Sequence, residues 1–264
     1  MFKVFNPKSI LITGASSGIG KALALYYAKS GVTLFLWGQS EKRLQETKKY
    51  CERIGATVFI CALNLSIPSN ALEKLNEILA HTFLDLVILA AGSGDIKNQK
   101  YILEEPSQIF YMAQLNYVTP CLMATEIANQ MIQKKINGRI VFLGSVAGFH
   151  SLPFASAYCS SKAGLWRFAQ SLHLSLKKHN VSVTLITPGF IDTPLSQRLE
   201  CNKLGMLKLE KAIQRITKAI ETNKRELIIP KFFILLKWID LLSPNWLKDY
   251  IFLHLKVKQN DRVL

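Results

Sequence analysis

Acidic residues, paired cysteines and long apolar runs are all scarce in this chain, and each shortage closes off a class of protein. In 264 residues there are 18 Asp and Glu against 33 Lys and Arg, a formal net charge of +15. No uninterrupted apolar stretch approaches the roughly 20 residues that a helical membrane span requires. The five cysteines, Cys51, Cys61, Cys121, Cys159 and Cys201, are scattered and odd in number. They fit neither a disulfide framework nor a zinc site and read as buried, reduced thiols. The five histidines form no ligand constellation, so no metal is expected. Repeats and low-complexity tracts are missing. The opening MFKVFNPKSI lacks the h-region and small-residue cleavage site of a secretion signal, so cytoplasmic residence is expected. A basic balance can mark a nucleic-acid binder, but there is no such motif and no basic cluster interleaved with an aromatic platform. The charge reads instead as solvated helix faces plus attraction to a phosphate-bearing cofactor or lipid, with no specific nucleic-acid partner.

What is present points to redox chemistry. Tyr158 and Lys162 stand four residues apart, and Ser145 lies thirteen residues before the tyrosine, after the apolar run 140–143. The apolar-periodic segment 155–178 predicts a helix that brings Tyr158 and Lys162 to one face. Reducing a carbonyl needs a proton donor at oxygen while hydride reaches carbon, and a free phenol with a pKa of about 10 is a reluctant acid. A neighbouring ammonium lowers that pKa, and a serine at a strand end can donate a hydrogen bond to the same substrate oxygen. A Y-x-x-x-K pair alone is commonly an ordinary helix-surface pair. Here a glycine-rich segment accompanies it.

That segment, TGASSGIG at 13–20, sits between a predicted strand and the helical run 21–29. Gly14, Gly18 and Gly20 would permit a tight turn, close backbone approach to a pyrophosphate and close helix–strand packing. The helix start then offers unpaired N–H groups and partial positive charge to the phosphates.

Together these residues resemble the short-chain dehydrogenases/reductases, over about residues 9–193. The resemblance implies a T-G-x-x-x-G-x-G cofactor loop with Ser16, Ser17 and Ile19 in its interior, and a catalytic set of Ser145, Tyr158 and Lys162. It implies that Asn116 supports a proton-relay water, that Lys162 also binds the nicotinamide ribose, and that Pro188, Gly189, Ile191 and Thr193 lie along the nicotinamide. Leu65, Ala91 and Gly92 fall in its remaining cofactor-contacting positions. Three departures stand out. The family's N-A-G reads Ala90-Ala91-Gly92, its adenine-contacting aspartate is Asn64, and the second strand ends at Gln39 without an acid. An asparagine carbonyl can still accept from an adenine amino group. With no acid there for a ribose hydroxyl, and with Lys42 and Arg43 close by, the site leans toward NADP(H) over NAD(H). Alternatively, Ser40 simply caps the next helix, with Lys42 and Arg43 on its solvated face.

Strands are predicted at 9–13, 33–37, 57–63, 86–90, 139–144, 182–187 and 226–229, with helices filling most gaps. The expected fold is α/β: a single Rossmann-type domain over 1–264, with a doubly wound parallel sheet of about seven strands and helices on both faces. Residues 194–225 are expected to carry the substrate loop or lid. Residues 230–258 form a hydrophobic, lysine-bearing extension in which Phe232, Phe233, Leu235, Leu236, Ile239 and Leu242 make an amphipathic helix broken by Pro244. Three roles compete for it: packing on the domain or on a second copy, peripheral membrane contact, or a cover over a lipid-like substrate. The expected function is NAD(P)(H)-dependent interconversion of a small-molecule carbonyl and alcohol, the substrate leaning lipophilic. By the resemblance, a homo-oligomer (dimer or tetramer) is expected. The alternative is a catalytically silent nucleotide-binding regulator or membrane adaptor of the same fold.

Overall fold

The computed structural model describes residues 5–97, 101–255 and 257–259. The first four residues of the N-terminal tract, and Lys256 within the extension, therefore lie outside the described residues. Seven strands form one parallel sheet: β1 (Ser9–Thr13), β2 (Thr33–Gly38), β3 (Thr57–Ala62), β4 (Leu86–Leu89), β5 (Gly138–Leu143), β6 (Val181–Pro188) and β8 (Glu226–Ile229). Their spatial order is β3-β2-β1-β4-β5-β6-β8. Every residue of β4 is buried, as are four of the five in β1. Such continuous apolar runs are what a parallel strand covered on both faces requires, which is why the strands read so clearly in the sequence.

Helices α1 (Gly18–Tyr27), α2 (Glu41–Arg53) and α8 (Leu209–Glu221) meet one apolar layer of the core. The opposite layer is packed by α3 (Pro68–His81), α5 (Thr119–Gln133) and α6 (Ser156–Ser175). Helix α4 (Pro106–Ala113) runs into a five-residue π-helical segment, Gln114–Val118, which continues into α5. A 3-10 turn, Val146–Phe149, follows β5. Beyond β6 come the short α7 (Pro194–Gln197) and β7 (Leu199–Glu200), then α9 (Phe232–Leu242), α10 (Asn245–Leu253) and β9 (Lys258–Gln259) after β8. Strand β9 pairs antiparallel with β7, so residues 258–259 are held to the segment after β6. The five cysteines are free; Cys51, Cys121 and Cys159 are buried, whereas Cys61 and Cys201 are only half-buried.

Strand order reverses at β1, which pairs with β2 on one side and β4 on the other. Ligands of open α/β sheets bind beyond the strand carboxyl ends at such a reversal. The glycine loop, Ala90–Gly92 and Ser145 all follow the carboxyl ends of β1, β4 and β5.

Candidate active site

The glycine loop has the geometry of a phosphate cradle. Gly14 has φ +70° and Gly18 φ +52°, both in the left-handed region. A Cβ on Gly14 would stand 2.9 Å from the Ala91 backbone, and one on Gly20 would stand 2.3 Å from the Gly14 carbonyl oxygen. Only glycine lets α1 begin so close to the strand ends. Ser17, at the α1 N-cap, makes no side-chain cap, and the first turn carries no acid, so the amide N–H groups there remain for an anion. Ile19 packs against the core, and Ser16 lies over the end of β2, its Oγ 3.1 Å from where a Gly38 Cβ would be. Thr47 fixes the loop from α2 by donating to the Ala15 carbonyl at 3.2 Å.

At the end of β2, Gln39 and Arg43 are exposed, and Ser40 caps α2 by accepting from the Arg43 amide at 3.4 Å. The capping role is thus real, while the Arg43 side chain is free of ion pairs among the described residues. Asn64 behaves differently from the expectation. Its Oδ1 accepts from both the amide and the hydroxyl of Ser66, at 3.0 and 2.8 Å, so an adenine amino group would have to share or displace those contacts. Leu65 is buried and lines a small cavity with Thr13 and Ala91. The missing asparagine of Ala90-Ala91-Gly92 is partly replaced by Thr13, whose Oγ1 accepts from the Ala91 amide at 3.1 Å and ties β1 to the end of β4.

Ser145, Tyr158 and Lys162 converge. Ser145 caps the 3-10 turn after β5, accepting from the Ala147 amide at 3.2 Å, and its side chain also hydrogen-bonds the Tyr158 phenol. Lys162, one helical turn beyond the tyrosine on α6, is buried and donates to the Leu143 carbonyl at 2.9 Å. Its ammonium lies 5.9 Å from the Tyr158 ring centroid. The electrostatics depart from the expectation. Burial raises the Tyr158 phenol above its ordinary value, with the Ser145 hydrogen bond pulling against that rise. Burial also lowers the Lys162 ammonium to about 8. Lys162 is turned to a carbonyl, so desolvation dominates at the phenol rather than the attraction that the four-residue spacing implies.

Asn116 sits in the π-helical segment and is completely buried. Its Oδ1 accepts from the Ser93 amide at 3.0 Å, and its Nδ2 donates to the Ser93 carbonyl at 2.9 Å and the Ser161 hydroxyl at 3.2 Å. The irregular helix therefore holds the segment after β4 against α6; such π-bulges frequently sit at functional sites. A Cβ on Gly92 would come 2.9 Å from Asn116 Oδ1 and 3.4 Å from Lys162 Nζ, so the two predicted elements share one wall. On the far side, Pro188 ends β6 and Ile191 is buried, while Thr193 caps α7 in a reciprocal pair with Ser196. Gly189 leaves room for the Phe233 ring, which would lie 2.3 Å from its Cβ.

Three residues with no sequence signal also shape the site. Glu104 is buried and accepts from the Ser156 hydroxyl and, at 2.8 Å, from the Ala157 amide, capping the start of α6. Asp95 and Arg198 bridge the segment after β4 to the one after α7. Each is a long-range contact between ordinary polar residues, invisible to spacing.

With this geometry in place, similarity to known proteins is specific. The short chain dehydrogenase family model matches residues 8–203. An uncharacterized oxidoreductase of Myxococcus xanthus is 31% identical over 224 residues, 84% of this chain and 87% of that protein. Estradiol 17-beta-dehydrogenase 11 of Mus musculus is 28% identical over 260 residues, covering 93% of this chain and 85% of the relative. A short-chain dehydrogenase from Sphingobium yanoikuyae, solved with NADPH, superposes with TM-score 0.79 at 21% identity, over 94% of this chain and 96% of that one. The chain belongs to the short chain dehydrogenase family. It is an oxidoreductase acting on alcohol and carbonyl groups with a nicotinamide cofactor.

Proposed function

We propose that the protein reduces a lipophilic ketone or aldehyde, or oxidises the matching alcohol, with NADP(H) favoured over NAD(H). The observation carrying this reading is the meeting of Ser145 with the Tyr158 phenol while Lys162 lies buried one turn away on α6. The glycine loop and the uncapped start of α1 fit the pyrophosphate of a dinucleotide. When bound, the nicotinamide supplies or accepts the hydride.

The chain's own residues do the rest. Ser145 donates a hydrogen bond to the substrate oxygen and polarises the carbonyl. Tyr158, kept protonated by burial, gives that oxygen its proton in the reducing direction. Lys162 brings positive charge to the wall shared with Gly92 and is suited to holding the ribose hydroxyls. Asn116 supports a water chain that reprotonates the site. Arg43, exposed and unpaired among the described residues, would meet a 2′-phosphate, which supports the NADP(H) preference. The reading includes self-association and contact of the extension with a membrane.

The test is oxidation of NADPH and of NADH against a carbonyl panel running from small ketones to steroid and acyl-chain ketones. Turnover with at least one carbonyl, faster with NADPH, is expected. Tyr158→Phe should reduce turnover by roughly a hundredfold or more while NADPH binding, read by fluorescence, persists. No turnover with any carbonyl alongside intact NADPH binding would favour the silent regulator.

A further inference from the structure

Helix α9 is amphipathic in the wrong sense for a helix facing water. Its exposed side chains, Ile234, Leu235, Trp238, Ile239, Leu241 and Leu242, are all apolar. Its two charged residues point inward. Lys237 lies over the rings of Phe149 and Trp166, at 4.5 and 4.3 Å to the centroids, and Asp240 stands 3.3 Å from the His150 ring nitrogen. Only Phe233 is fully buried. Helix α10 adds exposed Trp246, Tyr250 and Leu253, with the exposed carboxylate of Asp249 among them. A soluble helix buries its apolar stripe and wets its charges, so this arrangement calls for an apolar environment outside the protein.

Charge beside the apolar face identifies that environment. An open cleft of about 1040 Å³ runs along α8, β8 and α9, lined by Arg215, Lys218, Lys224, Lys231 and Lys237 together with α9's own Ile234 and Trp238. Its one carboxylate, Glu226, accepts from the Trp166 indole at 2.8 Å and so is already engaged. Among the described residues none of these five cations forms an ion pair. A second copy of the chain seated symmetrically on this face would set two such cationic rims against each other. An anionic lipid surface offers hydrocarbon to the tryptophans and phosphate to the cations at once.

We propose that the outward face of α9 inserts into the interfacial layer of an anionic bilayer, with Trp246 and Tyr250 of α10 at headgroup level and lipid phosphate held in the basic cleft beside α9. The inner side of the same helix borders the redox site: Phe233 packs on Gly189, and the Phe232 ring would lie 2.5 Å from a Cβ on Gly205. A lipophilic substrate would thus leave the bilayer one helix away from Ser145. That consequence rests on the carbonyl-reducing reading above; the docking itself does not.

The experiment is flotation of the full chain with phosphatidylcholine vesicles, with and without phosphatidylglycerol, while Trp fluorescence is recorded. Binding with a blue shift only on the anionic vesicles is expected. Lys218→Gln with Lys224→Gln should weaken it roughly 25-fold, about fivefold per cation. Trp238→Glu with Leu242→Glu should abolish it, with NADPH binding retained as the check on folding. Failure to bind anionic vesicles, or equal binding by both double variants, overturns the proposal. So does loss of a dimer on Trp238→Glu without vesicle binding, since a second copy then covers the face. Binding of inorganic phosphate without vesicle binding would also overturn it, making the cleft a site for a free anion. Turnover of a water-soluble ketone in the same samples reports separately on the enzymatic reading.

Discussion

Asp95 and Arg198 are 103 positions apart in the chain, yet Asp95 Oδ1 lies 2.7 Å from an Arg198 guanidinium nitrogen. The same carboxylate oxygen accepts from Gln259 at 3.1 Å, and the other accepts from the Ser93 hydroxyl. The pair thus links the segment after β4, the segment after α7 and the terminal strand β9. Both side chains are about four-fifths covered, so the bond is better insulated from solvent than a surface pair. It ties the region between β6 and α8 to the segment after β4, where Leu195 and the Tyr158 ring both lie within 3.8 Å of the place a Cβ on Gly94 would take. Arg198→Ala should raise KM several-fold more than it changes kcat, and should speed proteolytic nicking between 194 and 208. Unchanged KM and unchanged proteolysis would show that the pair does not hold the loop.

Asn116 should act through position rather than by touching substrate. Asn116→Ala removes the hydrogen bonds that this side chain makes to the Ser93 amide and carbonyl at 3.0 and 2.9 Å and to the Ser161 hydroxyl at 3.2 Å. A hydrogen bond of this kind contributes about 1 kcal/mol. The variant should therefore lose on the order of 2–4 kcal/mol of stability in urea unfolding. Turnover should fall, but less completely than for Tyr158→Phe. Full stability with lost turnover would instead make Asn116 a direct participant.

How far the sequence could be read follows from which interactions are local. Buried parallel strands are short apolar runs, and the expected 33–37 and 226–229 agree with β2 and β8 to within a residue. The motif residues were legible because each lies at a strand end or on one helix face. Helix α4 carries little sequence signal because it buries only Met112 and exposes Ile109 and Phe110, which blurs its period. Strands β7 and β9 are two residues each and pair across a long separation. In α9 periodicity located an apolar stripe but could not say which side faces the protein; that depends on where Phe149, His150 and Trp166 wait for its charges.

The three loop glycines should tolerate a methyl group unequally. Gly18→Ala adds a Cβ 3.5 Å from Thr193, ordinary contact, so its cost is the left-handed backbone, about 1–2 kcal/mol. In Gly20→Ala the Cβ would sit 2.3 Å from the Gly14 carbonyl oxygen, so the loop must open. Gly20→Ala should thus weaken NADPH binding on the order of a hundredfold, well beyond Gly18→Ala. Titration by fluorescence gives the ranking, and the reverse order would mean the loop is not packed as described.

Lys162 makes stability depend on pH in a direction that can be worked out. Its ammonium is lowered from 10.5 to about 8 by burial. Between those values the unfolded chain holds the proton and the folded one does not, so stability rises with pH across that window. Below it the folded cofactor-free protein carries a buried charge at a cost of about 3 kcal/mol. Lys162→Met removes that cost but leaves the Leu143 carbonyl, bonded at 2.9 Å, without its donor, a loss of about 1 kcal/mol. Near pH 7 the cofactor-free variant should therefore be the more stable by about 2 kcal/mol. By pH 10.5 the advantage should be gone, because both folded chains are then uncharged at this position. Urea unfolding at the two pH values decides it. A variant less stable than the parent at pH 7 would mean that the ammonium is stabilised where it sits, and that burial does not govern its proton.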